Sequence, residues 1–456
     1  MKSDGAVLAT IGDTPLVELK NLDTGCCRLF VKLENQNPTG SIKDRIGLSM
    51  IEAAERSGEL QPGGALIEAT AGNTGLGLAL VAAQKGYKLT LVIPDKMAQE
   101  KVLHLKALGA RVIITRSDVG KGHPEYYQDV AERLARESGA FYVNQFANPA
   151  NPAAHEATTG PEIWSQTKQM LDAVVVGVGS GGTLTGLSRY FARVAPHVEM
   201  VLADPKGSIL VDVVKTGAPQ KIAGSWLVEG IGEDFIPSIC DLSRVRSAYE
   251  VSDAESFATA RELLAKEGLL GGSSTGTLVA AALKYCREQT TPKRVVTFVC
   301  DSGNKYLSKM YNDFWLFDQG ILPRPKTGTI VDLIVRRYSD GSTVTLRPTD
   351  SLLHAYRRMK LFEVSQLPVM EGDTVIGILD ESDLLMHVYE SPARFAETVG
   401  HAMVKSVVTI SPTAAVSELL PIFAKDMVAV VADAGKFVGL ITRIDLLNYL
   451  QIGRAH

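Results

Sequence analysis

Between residues 66 and 301 the chain repeats one rhythm: a short apolar run rich in β-branched residues, then glycine punctuation, then a stretch with helical spacing. That alternation predicts parallel α/β construction, each strand being followed by a crossover helix. The clearest strands are predicted at residues 65–69, 89–93, 112–114, 173–176, 200–203 and 295–299. Several are apolar at successive positions, the pattern of strands covered by helices on both faces.

The rhythm breaks near Leu322, where Pro323-Arg324-Pro325-Lys326-Thr327-Gly328 combines two prolines and a glycine and cannot continue a helix. A linker is predicted at 321–330. Beyond it the sequence repeats itself. Val344-Thr345-Leu346-Arg347-Pro348-Thr349 returns as Val408-Thr409-Ile410-Ser411-Pro412-Thr413, and the stretch 375–385 returns as 437–447. Such self-similarity predicts a tandem pair of small α/β modules. The expected domains are therefore 1–320, 331–395 and 396–456.

At 456 residues the chain is too long for one ordinary core, in agreement with that division. With 47 Lys plus Arg against 51 Asp plus Glu, the formal charge of −4 argues against a polyanion-binding surface, so no nucleic-acid partner is expected. No apolar run approaches the roughly 18 residues of a membrane span. The start, Met1-Lys2-Ser3-Asp4-Gly5, has no apolar signal core, which makes the cytoplasm the expected location. Five scattered cysteines, with no C-x-x-C pair, read as free thiols and not as a metal site.

Four constellations carry candidate chemistry. In Asn37-Pro38-Thr39-Gly40-Ser41-Ile42-Lys43-Asp44-Arg45 a turn runs into a helix with one lysine at the seam. The positive field at a helix start helps lower a lysine pKa and leaves a neutral, nucleophilic amine, although spacing alone favours a solvated surface lysine. Thr70-Ala71-Gly72-Asn73-Thr74-Gly75 follows a predicted strand and opens a helix, offering backbone N–H groups to an anion. The glycines there fit a plain turn as well. Gly179-Ser180-Gly181-Gly182-Thr183, again between strand and helix, adds two hydroxyls and suits a phosphate dianion. It lacks the G-K-[ST] of a P-loop, and a lone G-x-G pattern is weak support for a dinucleotide. Gly271-Gly272-Ser273-Ser274 is, by itself, only a helix cap.

Taken together, in type and order, these four stretches resemble the fold type II pyridoxal 5′-phosphate (PLP) enzymes, and more narrowly the cystathionine β-synthase family. The resemblance spans nearly the whole chain, from Ile11-Gly12-Asp13-Thr14-Pro15-Leu16 through Val228-Glu229-Gly230-Ile231-Gly232-Glu233-Asp234-Phe235-Ile236-Pro237. The C-terminal repeats resemble the paired regulatory modules, called CBS domains, of that family. The implied fold is two parallel-sheet α/β subdomains followed by the two small repeats.

The resemblance implies PLP as cofactor and Lys43 as both its Schiff-base lysine and the catalytic base. Gly179, Ser180, Gly181, Gly182 and Thr183 would hold the phosphate, Asn73 the ring hydroxyl oxygen, and Ser274 the pyridine nitrogen. Thr70, Gly72, Asn73 and Thr74 would hold the substrate carboxylate, with Gln145 and the Gly230 turn lining the substrate side. The implied reaction is β-replacement, in which L-serine and L-homocysteine give L-cystathionine and water. Ala71 and Phe146 depart from the serine and tyrosine common in the family. No haem is expected, because only a short stretch precedes the Ile11 motif, and a homodimer or higher homo-oligomer is implied. Gly439, Thr442 and Asp445 complete a G-x-x-T-x-x-D pattern suited to the ribose of an adenosine-type ligand, S-adenosylmethionine among them. The first repeat has Asp380 in place of the threonine, which speaks against a nucleotide there, and for the pair as a whole a module that only dimerises the chain is the alternative. The nearest rival activity is that of O-acetylserine sulfhydrylase, a cysteine synthase, whose sequences usually end near the catalytic core. A non-catalytic adenosine sensor is the rival from another class.

Overall fold

The computed structural model describes residues 7–452, apart from Ala71, Lys96, Ala98, Lys121, Lys221 and residues 324–327, with backbone alone at 451 and 452. Ala71 and most of the proline-rich linker motif thus lie outside the described residues. The chain divides into two compact units, which meet between Tyr311 and Asn312.

The first unit holds two sheets. The larger has the strand order Leu16–Glu18, Arg28–Lys32, Arg294–Phe298, Ala173–Gly177, Glu199–Pro205 and Val245–Val251. Only its first pair is antiparallel. The smaller runs Arg111–Thr115, Lys88–Pro94, Ala65–Ala69 and Phe141–Tyr142, all parallel. Val174, Val175, Met200, Val201, Val295 and Val296 are fully buried, as the unbroken apolar runs predict.

All six predicted strands are present within two residues of their expected bounds. Four more described strands of the first unit were not predicted. Two of these, Leu16–Glu18 and Phe141–Tyr142, are too short to carry a period. Arg28–Lys32 is framed by charged residues, and Val245–Val251 alternates as an edge strand does.

Helices follow the strands and bring the candidate residues to the strands' carboxyl ends, where ligands bind in parallel α/β sheets. Lys43–Ser57 crosses Asn73–Lys85 at Gly47 and Gly77, so closely that a Cβ on Gly77 would lie 2.7 Å from the Lys43 carbonyl oxygen. That glycine crossing, closer than a Cβ allows without a backbone shift, fixes Lys43 beside the turn at Asn73.

In the second unit both repeats contain an antiparallel hairpin and then a helix. The hairpins are Gln366–Glu371 with Thr374–Asp380 and Ala429–Asp433 with Lys436–Ile441, each with one register shift at the corresponding place. Helices Glu381–Val388 and Arg443–Ile452 follow. Ile330, Leu333 and Ile334 enter the core of the second repeat, against Leu419, Ala429 and Ile441. Among the described residues no helix is long and apolar enough to cross a membrane.

Candidate active site

Lys43 is the first residue of its helix, and its backbone N–H donates to Ser41 Oγ at 3.3 Å. Among the described residues no side-chain partner takes its ammonium. Burial lowers its pKa; Cys300 and Asp301 oppose the shift, and Lys101 adds to it. Burial also pushes the Cys300 thiol up to about 12, so it stays neutral beside the lysine. Ser274, in the first turn of helix Ser273–Arg287, lies close enough to that thiol to favour its charged form and so shares the Lys43 neighbourhood.

Asn73 begins its helix at the end of strand Ala65–Ala69. Its Nδ2 donates to Asp301 Oδ2 at 2.7 Å, and its Oδ1 accepts from Lys305 Nζ at 3.0 Å. A second Nδ2 proton remains for another acceptor. Tyr306 also donates to Asp301 Oδ2, at 2.7 Å, and accepts from Lys101 Nζ at 2.9 Å. Lys101 pairs with Glu229 at 2.6 Å, and Lys309 meets the other oxygen of Glu229 at 2.8 Å. Burial alone would raise the Glu229 carboxyl, but the two lysines outweigh it and the net shift is downward. Gly72, with φ +116, turns the chain under the Lys101 stem; a Cβ there would lie 2.8 Å from Lys101 Cδ.

Thr70 Oγ1 accepts from the Gly72 N–H at 3.1 Å and shapes the same turn. The Thr74 hydroxyl donates to Gln145 Oε1 at 2.6 Å, while Gln145 Nε2 donates to the Ala69 carbonyl at 3.2 Å. With its proton so committed, Thr74 can offer a carboxylate only its backbone N–H in this arrangement. Behind Gln145, Glu68 is fully buried and burial pushes its pKa up to about 8, so near neutral pH its carboxyl is mostly protonated. Phe146, in place of a tyrosine, packs on Phe235 with ring centroids 5.6 Å apart.

The glycine turn at 179–183 leads from strand Ala173–Gly177 into helix Gly182–Val194. Its outer side is closely packed: a Cβ on Gly179 would lie 2.5 Å from the Gly230 carbonyl oxygen, and one on Gly181 would lie 2.5 Å from Cys240 Cβ. The backbone N–H groups of Gly179, Ser180 and Gly181 find no acceptor among the described residues. Ser180 Oγ accepts from Asn151 Nδ2 at 2.9 Å, and Thr183 Oγ1 lies 3.2 Å from His155 Nε2. Burial drives the His155 pKa well below its ordinary value, aided by Arg45 and Lys43, so the ring is neutral. Uncommitted N–H donors, two hydroxyls and a helix start form a donor set that fits a phosphate dianion. With Lys43 desolvated nearby, these residues fit PLP.

Lys43, Asn73, Thr70, Gly72, Thr74, Gln145, Ser180, Gly230 and Ser274 thus belong to one connected cluster. Sequence reasoning did not single out Asp301, Lys305, Tyr306, Lys101, Asn151 or His155, and it treated Cys300 as incidental. The signal for the first three was present in Asp301-Ser302-Gly303-Asn304-Lys305-Tyr306, a polar run directly after a buried strand.

In the second unit Thr442 and Asp445 bond to each other. The Thr442 N–H and hydroxyl both donate to Asp445 Oδ2, at 2.7 and 2.5 Å. Gly439 is required by packing, since a Cβ there would lie 2.4 Å from Ile334 Cγ2. Asp380 and Asp383 form the matching cap in the first repeat. All three residues of the pattern therefore have structural work that a ligand would have to share.

Comparison with known proteins agrees with this division. Residues 7–301 match the family described as pyridoxal-phosphate dependent enzyme, and residues 335–390 and 399–452 match the CBS domain. A cystathionine beta-synthase of Dictyostelium discoideum is 36% identical, covering 98% of this chain and 92% of that protein. Cysteine synthase A of Escherichia coli (strain K12) is 43% identical but covers 66% of this chain and 92% of its own length. Among solved structures, a hydrogen sulfide-producing enzyme from Fusobacterium nucleatum matches with a TM-score of 0.61 at 36% identity, over 66% of this chain and 99% of that one.

Proposed function

Because this chain belongs to the pyridoxal-phosphate dependent enzymes, in the cystathionine beta-synthase family with paired CBS domains, we propose that it condenses L-serine with L-homocysteine to L-cystathionine and water. One observation carries the choice of reaction. The similarity to cystathionine beta-synthases runs through the C-terminal repeats, whereas the similarity to cysteine synthase A covers only two thirds of the chain. The higher identity of that shorter match makes O-acetylserine plus sulfide the second reading.

When bound, PLP supplies an electron sink for the pair left at the substrate Cα. The chain's own residues do the rest. Lys43 Nζ would be the point at which the chain holds PLP and also the base that takes the Cα proton; withdrawal from water keeps that amine neutral and able to accept it. Gly179, Ser180, Gly181, Gly182 and Thr183 hold the phosphate, and Asn73 directs its remaining amide proton to the ring hydroxyl oxygen. Ser274 offers the pyridine nitrogen a neutral hydroxyl, which does not force a proton onto it. The turn of Thr70, Gly72, Asn73 and Thr74 receives the substrate carboxylate through the Thr70 hydroxyl and the Asn73 and Thr74 N–H groups, since the Thr70 and Gly72 N–H groups donate to the Val92 carbonyl oxygen and to Thr70 Oγ1. Gln145 and Gly230 line the side where the thiol arrives. Our domain assignment remains 1–320 for the catalytic part, 321–330 for the linker, and 331–395 and 396–456 for the repeats.

The test is product identification by mass spectrometry, with wild type and Lys43→Ala given serine plus homocysteine or O-acetylserine plus sulfide. Cystathionine from the first pair, lost in the variant, is the expected result. Cysteine from the second pair alone would replace this reading with cysteine synthesis. We further propose a cytoplasmic homo-oligomer, to be checked by light scattering, and an adenosine-type ligand at Thr442 and Asp445. Calorimetry with S-adenosylmethionine, AMP and ATP that gave no heat would remove the ligand.

A further inference from the structure

Asn151 lies on the short helix Ala150–Ala154, is 1% exposed, and belongs to neither of the glycine turns. Its Nδ2 donates twice, to the Gln145 carbonyl oxygen and to Ser180 Oγ, each at 2.9 Å. The first contact decides the polarity of the second. A carbonyl oxygen only accepts, so the amide nitrogen and not the amide oxygen must face it. Both Nδ2 protons are then committed, and Ser180 Oγ can only accept from Asn151. The Ser180 proton is left over, and among the described residues no acceptor takes it.

The other end of the amide points the same way. Asn151 Oδ1 is buried with no donor, and it lies over Gly182, where an added Cβ would come within 1.8 Å of it. Buried polar atoms are seldom left without a partner, so an amide held this way round is held for what its nitrogen does. The Gly182 position admits only a glycine, which allows the amide to reach between the two turns.

We infer that Asn151 is a positioning residue: it turns the Ser180 hydroxyl proton into the anion cup and, through the Gln145 carbonyl, ties that cup to the Gln145–Thr74 pair beside the amino-acid turn. The inference rests on the PLP reading above. Without Asn151 the Ser180 hydroxyl is free to rotate, and the Gln145 carbonyl loses a buried donor. One oriented hydrogen bond to a charged group corresponds to about a tenfold change in cofactor retention.

The experiment follows release of PLP from the holoenzyme into an excess of a carbonyl-trapping amine, by absorbance, together with the phosphorus resonance of the bound cofactor. Wild type, Asn151→Ala, Ser180→Ala and the double variant are compared. Each single variant is expected to release PLP about tenfold faster, and the double variant no faster than Ser180→Ala, because Asn151 acts through Ser180. Asn151→Asp keeps the shape but accepts the Ser180 proton; it is expected to release PLP at least as fast as Asn151→Ala and to shift the phosphorus resonance, and it serves if Asn151→Ala does not fold. Single effects that multiply in the double variant, or wild-type release from Asn151→Ala and Asn151→Asp, would overturn the inference and leave the PLP reading intact. A wild-type protein that holds no PLP would remove both.

Discussion

The glycine crossing beneath Lys43 gives the most demanding test of how the fold positions the site. Replacing Gly77 by Ala places a Cβ 2.7 Å from the Lys43 carbonyl oxygen, 3.0 Å from its carbonyl carbon and 3.1 Å from Asp44 Cα. All three neighbours are backbone atoms, so no side chain can swing away. The helix carrying Lys43 must retreat by roughly 0.7 Å to restore ordinary contact. Overpacking of this kind costs about 3 kcal/mol at the upper end of its range, and exchanging a mid-helix glycine for alanine returns about 1 kcal/mol. The net loss of about 2 kcal/mol leaves a folded protein. Catalysis should suffer more than stability suggests, because a displacement near 1 Å in a reacting group costs up to about a hundredfold. We expect kcat for cystathionine formation to fall about tenfold.

Gly86→Ala separates the two effects. Gly86 ends the same helix with φ +79 and has nothing within 4 Å of an added Cβ. Its backbone strain costs about 1–2 kcal/mol, at the far end of the helix from Lys43. Urea unfolding and steady-state rates are measured on both variants. Comparable stability losses with kcat reduced only in Gly77→Ala are expected. Equal kcat in the two variants would refute the reasoning that the crossing sets the position of Lys43.

Three further outcomes follow from the buried groups. Glu68 binds a proton more tightly folded than unfolded, so stability should fall as pH rises from 4.5 to about 8 and level off above; Glu68→Gln should lose that slope in urea titrations across this range. Glu229→Gln strands the buried Lys101 charge and should destabilise the first unit by about 3 kcal/mol, while Glu229→Gln with Lys101→Met should recover part of that loss in urea unfolding. Asp445→Ala removes the acceptor for the Thr442 N–H and hydroxyl. It should cost about 1 kcal/mol in thermal unfolding of the second unit, with cystathionine formation unchanged.

What the sequence revealed and what it hid have physical causes. Strands buried on both faces wrote themselves as runs such as Ala173-Val174-Val175-Val176, and the turns at Gly72 and Gly179 were visible because a strand preceded each and a helix followed. The division of those strands between two sheets was not visible, since the same apolar run fits the centre of either. Nor was Ile330 visible as part of the second repeat, because sequence repeats mark similarity and not which segments pack together. The missed site residues share one feature: each acts through a partner distant in the chain. Asp301 meets Asn73 across 228 positions and Lys101 meets Tyr306 across 205, and no local spacing encodes such pairs.

The same long-range pairs bear on why Lys43 is the amine set apart. Lys101 is held by Glu229 and Tyr306, Lys305 by Asn73 and the Gly40 carbonyl, and Lys309 by Glu229. Burial lowers the Lys305 pKa to about 8, but its hydrogen bonds keep it turned toward acceptors. The acids are engaged in turn. Asp301 Oδ2 receives protons from Asn73 and Tyr306, and both oxygens of Glu229 face lysines. An acid released from these partners would be drawn toward the Lys43 ammonium and raise its pKa, since an opposite charge within reach favours the charged form. The network therefore does more than fasten the turns. By keeping both oxygens of Glu229 and one oxygen of Asp301 committed elsewhere, it lets desolvation outweigh the Asp301 charge at Lys43, which has no hydrogen-bonded counter-ion among the described residues, and that is the condition a lysine needs to lose its proton and attack a carbonyl carbon.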